Sequence, residues 1–173
     1  MEIVDEPIEG LFVLKQKVFG DERGFFMESF RSREFSKLVG NQLSFVQDNL
    51  SKSSKNVLRG MHFQAPPNGQ GKLVTVLTGA VLDVAVDIRK SSPSYGQSFA
   101  IELNEHNKLF MFVPEGFAHG FCTLEDNTLF MYKCTDYYNK DSEGSFRWDD
   151  PTLDLPWDVI DPVVSEKDRN APL

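Results

Sequence analysis

Short apolar runs, each only a few residues long and bounded by turn residues, follow one another along most of the chain. Ile3-Val4 and Leu11-Phe12-Val13-Leu14 are two such runs, and Pro7 and Gly10 separate them. Runs of this length with frequent turn residues are typical of β-strands. From residue 43 onward the same short segments continue, so the pattern predicts an all-β sandwich or barrel.

One segment, residues 32–39, has apolar side chains at helical spacing. Ser32 stands at the predicted N-cap position and Gly40 follows as a stop signal, so we expect one short helix here. The tail after residue 149 is predicted to wrap around the domain as extended chain. It is expected to end in a helical turn near residues 165–168.

A tight turn at Thr78-Gly79 predicts a hairpin in which Val74 lies opposite Asp83 and Lys72 lies opposite Ala85. Side chains alternate between faces with a period of two. One face is therefore shared by Lys72, Val74, Val76, Val81, Asp83 and Ala85. A carboxylate among valines is costly unless it is paired, and Lys72 is the nearest predicted partner of Asp83. The alternative is that this face is solvated, which its valines argue against.

A second hairpin is predicted to turn at Asp126-Asn127. Its register groups His119, Phe121, Phe130, Tyr132 and Cys134 on one face. Cys122 falls on the other face, so the two cysteines are not expected to bond to each other. His119 and Tyr132 become diagonal neighbours among aromatic rings. That pair is either sheltered for proton transfer or a structural hydrogen bond in the core.

Three titratable side chains, Arg59, His62 and Lys72, stand close to glycines in strand-forming sequence. Histidine is the side chain whose free pKa lies nearest neutrality, so His62 is the default proton carrier. A bulge at Gly60 would turn Arg59 and His62 toward the same face. A half-buried structural histidine beside surface charges explains the stretch equally well.

Upstream, Phe45, Gln47 and Asn49 are predicted to share a strand face. Two amides beside an aromatic ring suit recognition of a flat polar ligand. An exposed edge strand would carry the same residues.

The composition narrows the function classes. The chain has 173 residues, 40% apolar content and a net charge of −8, which fit one globular domain and make nucleic acid an unexpected partner. No apolar run of about 18 residues and no secretory leader is present, so we expect no membrane partner and a cytoplasmic location. Two cysteines are too few for a disulfide framework or a zinc site.

The three histidines, His62, His106 and His119, include no His-x-His pair, so a metal centre is disfavoured. Nucleophile-elbow, P-loop and dinucleotide-binding glycine motifs are absent. The remaining set of His, Lys, Tyr and Asp suits cofactor-free proton transfer next to a carbonyl. In that chemistry a histidine is the base, a cation holds the enolate and a phenol is the opposing acid.

Several motifs resemble the dTDP-4-dehydrorhamnose 3,5-epimerase family, and they follow the family order over nearly the whole chain. They are Arg23–Phe26, Leu58–Gln64, Gln70–Val74, Asp83–Arg89, Pro114–Phe121, Tyr132–Tyr138, Arg147–Pro151 and Ser165–Asp168. Met61 and Phe63 replace the Leu and Tyr that the family often has, and neither change touches the chemistry.

The resemblance implies a mainly β, cupin-like jelly-roll with one or a few short helices, spanning residues 1–173 as a single domain. It implies a metal-free homodimer without a cofactor, in which the strands of residues 1–30 are exchanged with the partner. The implied substrate is a nucleotide-linked 4-keto-6-deoxyhexose, which the family inverts at C3 and C5.

The resemblance also implies roles for individual residues. His62 matches the base, Asp168 its orienting carboxylate, Lys72 the residue that holds the enolate oxygen, and Tyr132 the acid on the other face. Substrate contacts are matched by Gln47, Asn49, Arg59, His119 and Tyr138 from the same chain and by Arg23, Phe26 and Glu28 as contacts across the dimer. We add Asp83 to the substrate-binding set because of its predicted place beside Lys72.

Two other functions remain open. One is a relative on the same fold that inverts a single carbon or takes another nucleotide sugar, such as a GDP-4-keto-heptose. The other is a sugar-binding module without catalysis, which the intact set of His62, Lys72, Tyr132 and Asp168 argues against. The sequence alone does not determine the nucleotide, the sugar or the pathway.

Overall fold

Fourteen strands and two short helices make up the computed structural model, which describes the whole chain, Met1–Leu173. The strands before the midpoint are β1 (Glu2–Ile8), β2 (Leu11–Lys15), β3 (Val18–Asp21), β4 (Gly24–Met27), β5 (Gln47–Ser53), β6 (Val57–Gln64), β7 (Lys72–Thr78) and β8 (Ala80–Asp87). Those after it are β9 (Ser98–Asn104), β10 (Leu109–Val113), β11 (Phe117–Thr123), β12 (Thr128–Cys134), β13 (Glu143–Ser145) and β14 (Val163–Val164). The helices are α1 (Ser32–Val39) and α2 (Glu166–Arg169), with a 3₁₀ turn at Lys140–Ser142.

Two sheets pack face to face as a sandwich. The first has the strand order β1-β2-β10-β7-β12-β5, and the second has the order β13-β6-β11-β8-β9, with β14 parallel to β6. Inward side chains of both sheets, among them Val74, Val81, Met111 and Phe130, form the main core cluster. The prediction of a mainly β sandwich is confirmed.

Both predicted hairpins are wrong in their pairing. Strand β7 pairs with β10 and β12, whereas β8 pairs with β9 and β11, so the turn at Thr78-Gly79 carries the chain from one sheet to the other. The turn at Asp126-Asn127 likewise joins β11 of the second sheet to β12 of the first. The predicted shared faces are nevertheless the inward faces, because Val76, Val81, Phe121 and Phe130 all lie in the common core.

The helix predictions are confirmed with one correction. Helix α1 has the predicted bounds and ends at Gly40, whose φ of 72° is left-handed. Its N-cap residue is Arg31, without a side-chain cap, and Ser32 is the first helical residue. In the tail, Ser165 caps α2 by accepting a hydrogen bond from the Asp168 N–H, so the predicted helical turn is present.

The N-terminal strands pair within the chain, β1 with β2 and β2 with β10. Strands β3 and β4 form a separate two-stranded ribbon that no third strand joins. Exchange of residues 1–30 with a partner stays a prediction. Neither helix has the length and apolar character needed to span a membrane.

Candidate active site

A cavity of about 540 Å³ opens between the two sheets. Strand β6 contributes Arg59 and His62, and β11 contributes His119, all from the second sheet. From the first sheet, β7 contributes Lys72 and β12 contributes Tyr132. The remaining lining residues are Ser51, Val57, Leu58, Gly120, Phe121 and the tail residues Val163, Val164, Ser165, Lys167 and Asp168.

The pairing of β6 with β11 contains a register shift at Gly60. His119 lies opposite His62 and Phe121 lies opposite Arg59, so one strand has an extra residue between these pairs. Gly60 has a φ of 136°, and a Cβ there would lie 2.6 Å from the Gly120 Cα. Only glycine fits this position. The predicted bulge is therefore confirmed, and it lets Arg59 and His62 line the same cavity.

His62 and Asp168 form a close pair although they are 106 residues apart in sequence. The His62 Nε2 lies 2.5 Å from the Asp168 Oδ1, and the Asp168 side chain is only 4% exposed. Burial alone would raise the pKa of Asp168, but hydrogen bonds from His62, the Gly60 N–H and Ser165 hold it below its ordinary value. An ionised Asp168 can only accept, so Nε2 carries the proton and Nδ1 is left as the basic nitrogen.

Asp83 pairs with His119 rather than with Lys72. The His119 Nε2 lies 2.8 Å from the Asp83 Oδ1, and the Asp83 side chain is fully buried. Burial raises the pKa of Asp83, while His119 and Lys72 act in the opposite direction. Asp83 is enclosed in the core and does not line the cavity, so the structure does not place it at the predicted substrate contact. It holds His119, which does line the cavity.

His119 and Tyr132 are not cross-strand neighbours as predicted, since they belong to facing sheets. Phe130 lies between them, with ring centroids 6.3 Å from His119 and 6.0 Å from Tyr132. Burial raises the pKa of Tyr132, so its phenol is protonated at neutral pH. Burial lowers the pKa of Lys72, while Cys134, Asp83 and Glu143 act in the opposite direction.

A second cavity of about 350 Å³ adjoins the first and shares Lys72 and Tyr132 with it. We call it the amide cavity, because its lining includes Gln47, Asn49, Gln64 and Gln70, together with Phe63, Tyr138 and Glu143. Phe45 is not part of it. The Phe45 ring packs against Phe35 and Phe112 in a cluster on the outer side of the first sheet. Strand β5 begins at Gln47, so Phe45 precedes the strand and does not follow its alternation of faces.

The structure does not bring Arg23, Phe26 and Glu28 to either cavity. Arg23 and Phe26 line a separate surface depression on the β3–β4 ribbon, where Arg23 pairs with Asp21. Glu28 pairs with Arg31 beside α1. All the other predicted site residues except Asp83 line one of the two cavities.

Two charged lining residues were missed by the sequence interpretation. Glu143 accepts a hydrogen bond from the Tyr138 hydroxyl at 3.1 Å and pairs with the Lys167 ammonium at 2.5 Å. This ion pair joins the rim of the amide cavity to α2, which carries Asp168. The position of Lys167 next to Asp168 in the sequence could have identified Lys167 as a residue of the site. The structure contains no group of three or more His, Cys, Asp or Glu side chains arranged to hold a metal ion.

Comparisons with known proteins identify relatives over the full chain. The model of the dTDP-4-dehydrorhamnose 3,5-epimerase family matches residues 5–173. The dTDP-4-dehydrorhamnose 3,5-epimerase of Salmonella typhimurium is 51% identical over 174 residues, which cover 100% of this chain and 95% of that protein.

Two solved structures are also similar. The epimerase RmlC of Legionella pneumophila, in complex with dTDP-4-keto-L-rhamnose, has a TM-score of 0.95 and 47% identity, covering 99% of this chain and 92% of that one. ChmJ, a 3'-monoepimerase from Streptomyces bikiniensis in complex with dTDP-quinovose, has a TM-score of 0.92 and 32% identity, covering 99% of this chain and 86% of that one.

Proposed function

The chain belongs to the dTDP-4-dehydrorhamnose 3,5-epimerase family, and we propose that it converts dTDP-4-dehydro-6-deoxy-D-glucose to dTDP-4-dehydro-L-rhamnose by proton transfer through an enolate. The observation that carries the proposal is the His62–Asp168 pair in a cavity that also presents Lys72 and Tyr132. C3 and C5 of this sugar both lie next to the C4 ketone, so their protons are the acidic ones. In this proposal one base, His62, serves both inversions.

Each residue has a role in this mechanism. The His62 Nδ1 takes the proton from carbon, and Asp168 holds the ring through Nε2 and stabilises the imidazolium that forms. Lys72 faces the developing enolate oxygen, where positive charge is worth most in a partly buried site. Tyr132, on the facing sheet, returns a proton from the opposite side of the sugar ring.

Arg59, His119, Gln47, Asn49 and Tyr138 bind the substrate in this proposal. Arg59 is exposed at the first cavity and braced by the Ser53 hydroxyl, which suits a guanidinium that meets phosphate. The amide cavity offers neutral hydrogen-bond donors and the exposed Tyr138 ring, which suit the nucleoside.

The reaction is tested by proton NMR of dTDP-4-keto-6-deoxyglucose incubated with the protein in D₂O. We expect deuterium at C3 and C5 and the signals of the L-sugar, with the same rate after exhaustive treatment with EDTA. Deuterium at one carbon alone would mean a single-site epimerase, as in the relative ChmJ. Activity that is lost to EDTA and restored by one divalent ion would contradict metal independence.

Assembly as a homodimer is the second part of the proposal. The β3–β4 ribbon pairs with no third strand and exposes Phe19, Phe25 and Phe26, of which Phe26 is 68% exposed. Residues of this ribbon match substrate contacts of the family but lie away from the cavity of their own chain. A partner's ribbon would bring the same residues to that cavity.

Light scattering at micromolar concentration is expected to give twice the chain mass of 19.7 kDa. Phe26→Ala is expected to raise KM, because the ring would be lost from the neighbouring site. A fully active monomer would rule out the shared site.

A further inference from the structure

A chain of hydrogen bonds fixes the side-chain amides of Gln47 and Asn49 in the amide cavity. The Tyr138 N–H donates to the Gln47 Oε1 at 3.0 Å, and the Gln47 Nε2 donates to the Asn49 Oδ1 at 3.1 Å. The Asn49 Nδ2 then donates to the Cys134 Sγ at 3.5 Å. A primary amide has two N–H donors, so each residue keeps one that the chain does not use.

Cys134 ends this chain on the inward side of β12. Its neighbours on the adjacent strands are Lys72 on β7 and Gln47 on β5, so the sulfur lies between the cation and the amides. The side chain is buried, and burial raises the pKa of the thiol. A neutral thiol can accept the hydrogen bond from the Asn49 Nδ2.

The anchor at the sulfur matters because an asparagine amide has two orientations of nearly equal shape. With the nitrogen held at Cys134, the oxygen of Asn49 faces the Gln47 nitrogen. A rotation of 180° would place the Asn49 nitrogen against the Gln47 nitrogen and leave donors facing each other. The hydrogen bond between the two amides could be restored only if the Gln47 amide also rotated. The Tyr138 N–H prevents that rotation because it holds the Gln47 Oε1.

We propose that Cys134 is a positioning residue for Asn49, which accepts from the Asn49 Nδ2 and completes a row of hydrogen bonds that starts at the Tyr138 N–H and leaves one free N–H on each amide. This inference rests on the proposed function, and it assigns the cavity to the acceptor oxygens of the nucleotide part of the substrate. Two fixed N–H donors recognise such oxygens, whereas a cavity of free amides would adapt to donors and acceptors alike.

The test compares Cys134→Val, which keeps the volume and removes the acceptor, with Cys134→Ser, which keeps an acceptor. For Cys134→Val we expect KM for the dTDP-sugar and Kd for dTDP to rise about fivefold to tenfold, with kcat within about twofold, as the loss of one ordered hydrogen bond predicts. Cys134→Ser should stay within about twofold of wild type in both constants.

Cys122→Val is the matched control, because Cys122 is equally buried but lies outside both cavities. The side-chain NH₂ signals of Asn49 in a ¹⁵N-correlated NMR spectrum should move in Cys134→Val and not in Cys122→Val. If Cys134→Val does not fold, Cys134→Ala takes its place.

Wild-type affinity in Cys134→Val, or an equal loss in Cys134→Ser, would overturn the positioning role. These outcomes are distinct from failure of the proposed function, in which the wild-type protein itself would neither convert the keto-sugar nor bind dTDP.

Discussion

His62→Asn is expected to abolish epimerisation while leaving the fold intact. The asparagine amide overlays Nδ1 and does not reach the Asp168 Oδ1. The buried carboxylate keeps the Gly60 N–H on its Oδ2, and the Ser165 cap holds α2, so we expect the tail to stay in place. What is lost is the imidazole Nδ1 that the proposed mechanism uses as the base, on the ring that Asp168 holds through Nε2. Loss of a general base lowers the rate by roughly 10² to 10⁴, and by more where no water replaces it.

The measurement is kcat from the NMR assay, with circular dichroism and the melting temperature of the same preparation. His106→Asn provides the matched control, since His106 is exposed in the turn between β9 and β10 and should keep wild-type kcat. If purified His62→Asn retained more than about a tenth of the wild-type kcat, His62 would be a structural histidine.

In the central strands the inward direction of the side chains could be predicted from the sequence, whereas the partner of each strand could not. Alternation in the segments around Val76, Val81, Phe121 and Phe130 correctly marks the residues that meet in the core. A short turn such as Thr78-Gly79, however, fits a hairpin within one sheet and a crossing between two sheets equally well. The choice depends on long-range pairing, here β7 with β10 and β12, which no local pattern encodes.

Because local patterns do not encode long-range pairing, only part of the site could be predicted from the sequence. His62 and Lys72 stand in strand sequence that is unusual enough to single them out, and the resemblance added Asp168, which spacing could not relate to His62. The partner of Asp83 was wrong because it followed from the wrong register. Glu143 and Lys167 were missed because charged residues in turn-rich segments usually lie on the surface.

The placement of Tyr132 determines how its role can be separated from that of His62. Tyr132 is on β12 of the first sheet and His62 is on β6 of the second, so the two line facing walls of one cavity. Inversion requires a proton to leave one face of the sugar ring and another to arrive on the opposite face. A phenol whose pKa is raised by burial holds its proton until an enolate accepts it.

Tyr132→Phe removes only the hydroxyl, so we expect substrate binding to persist and inversion to fall by roughly 10² or more. Exchange of ring protons with D₂O should fall much less, because His62 can still remove a proton and return a deuteron to the same face. Tyr95→Phe is the matched control, since Tyr95 is exposed and lies outside both cavities. The two rates are read from one NMR time course, deuterium incorporation for exchange and the L-sugar signals for inversion. A fall of both rates by the same factor would show that Tyr132 is not the opposing acid and would assign that role to an ordered water.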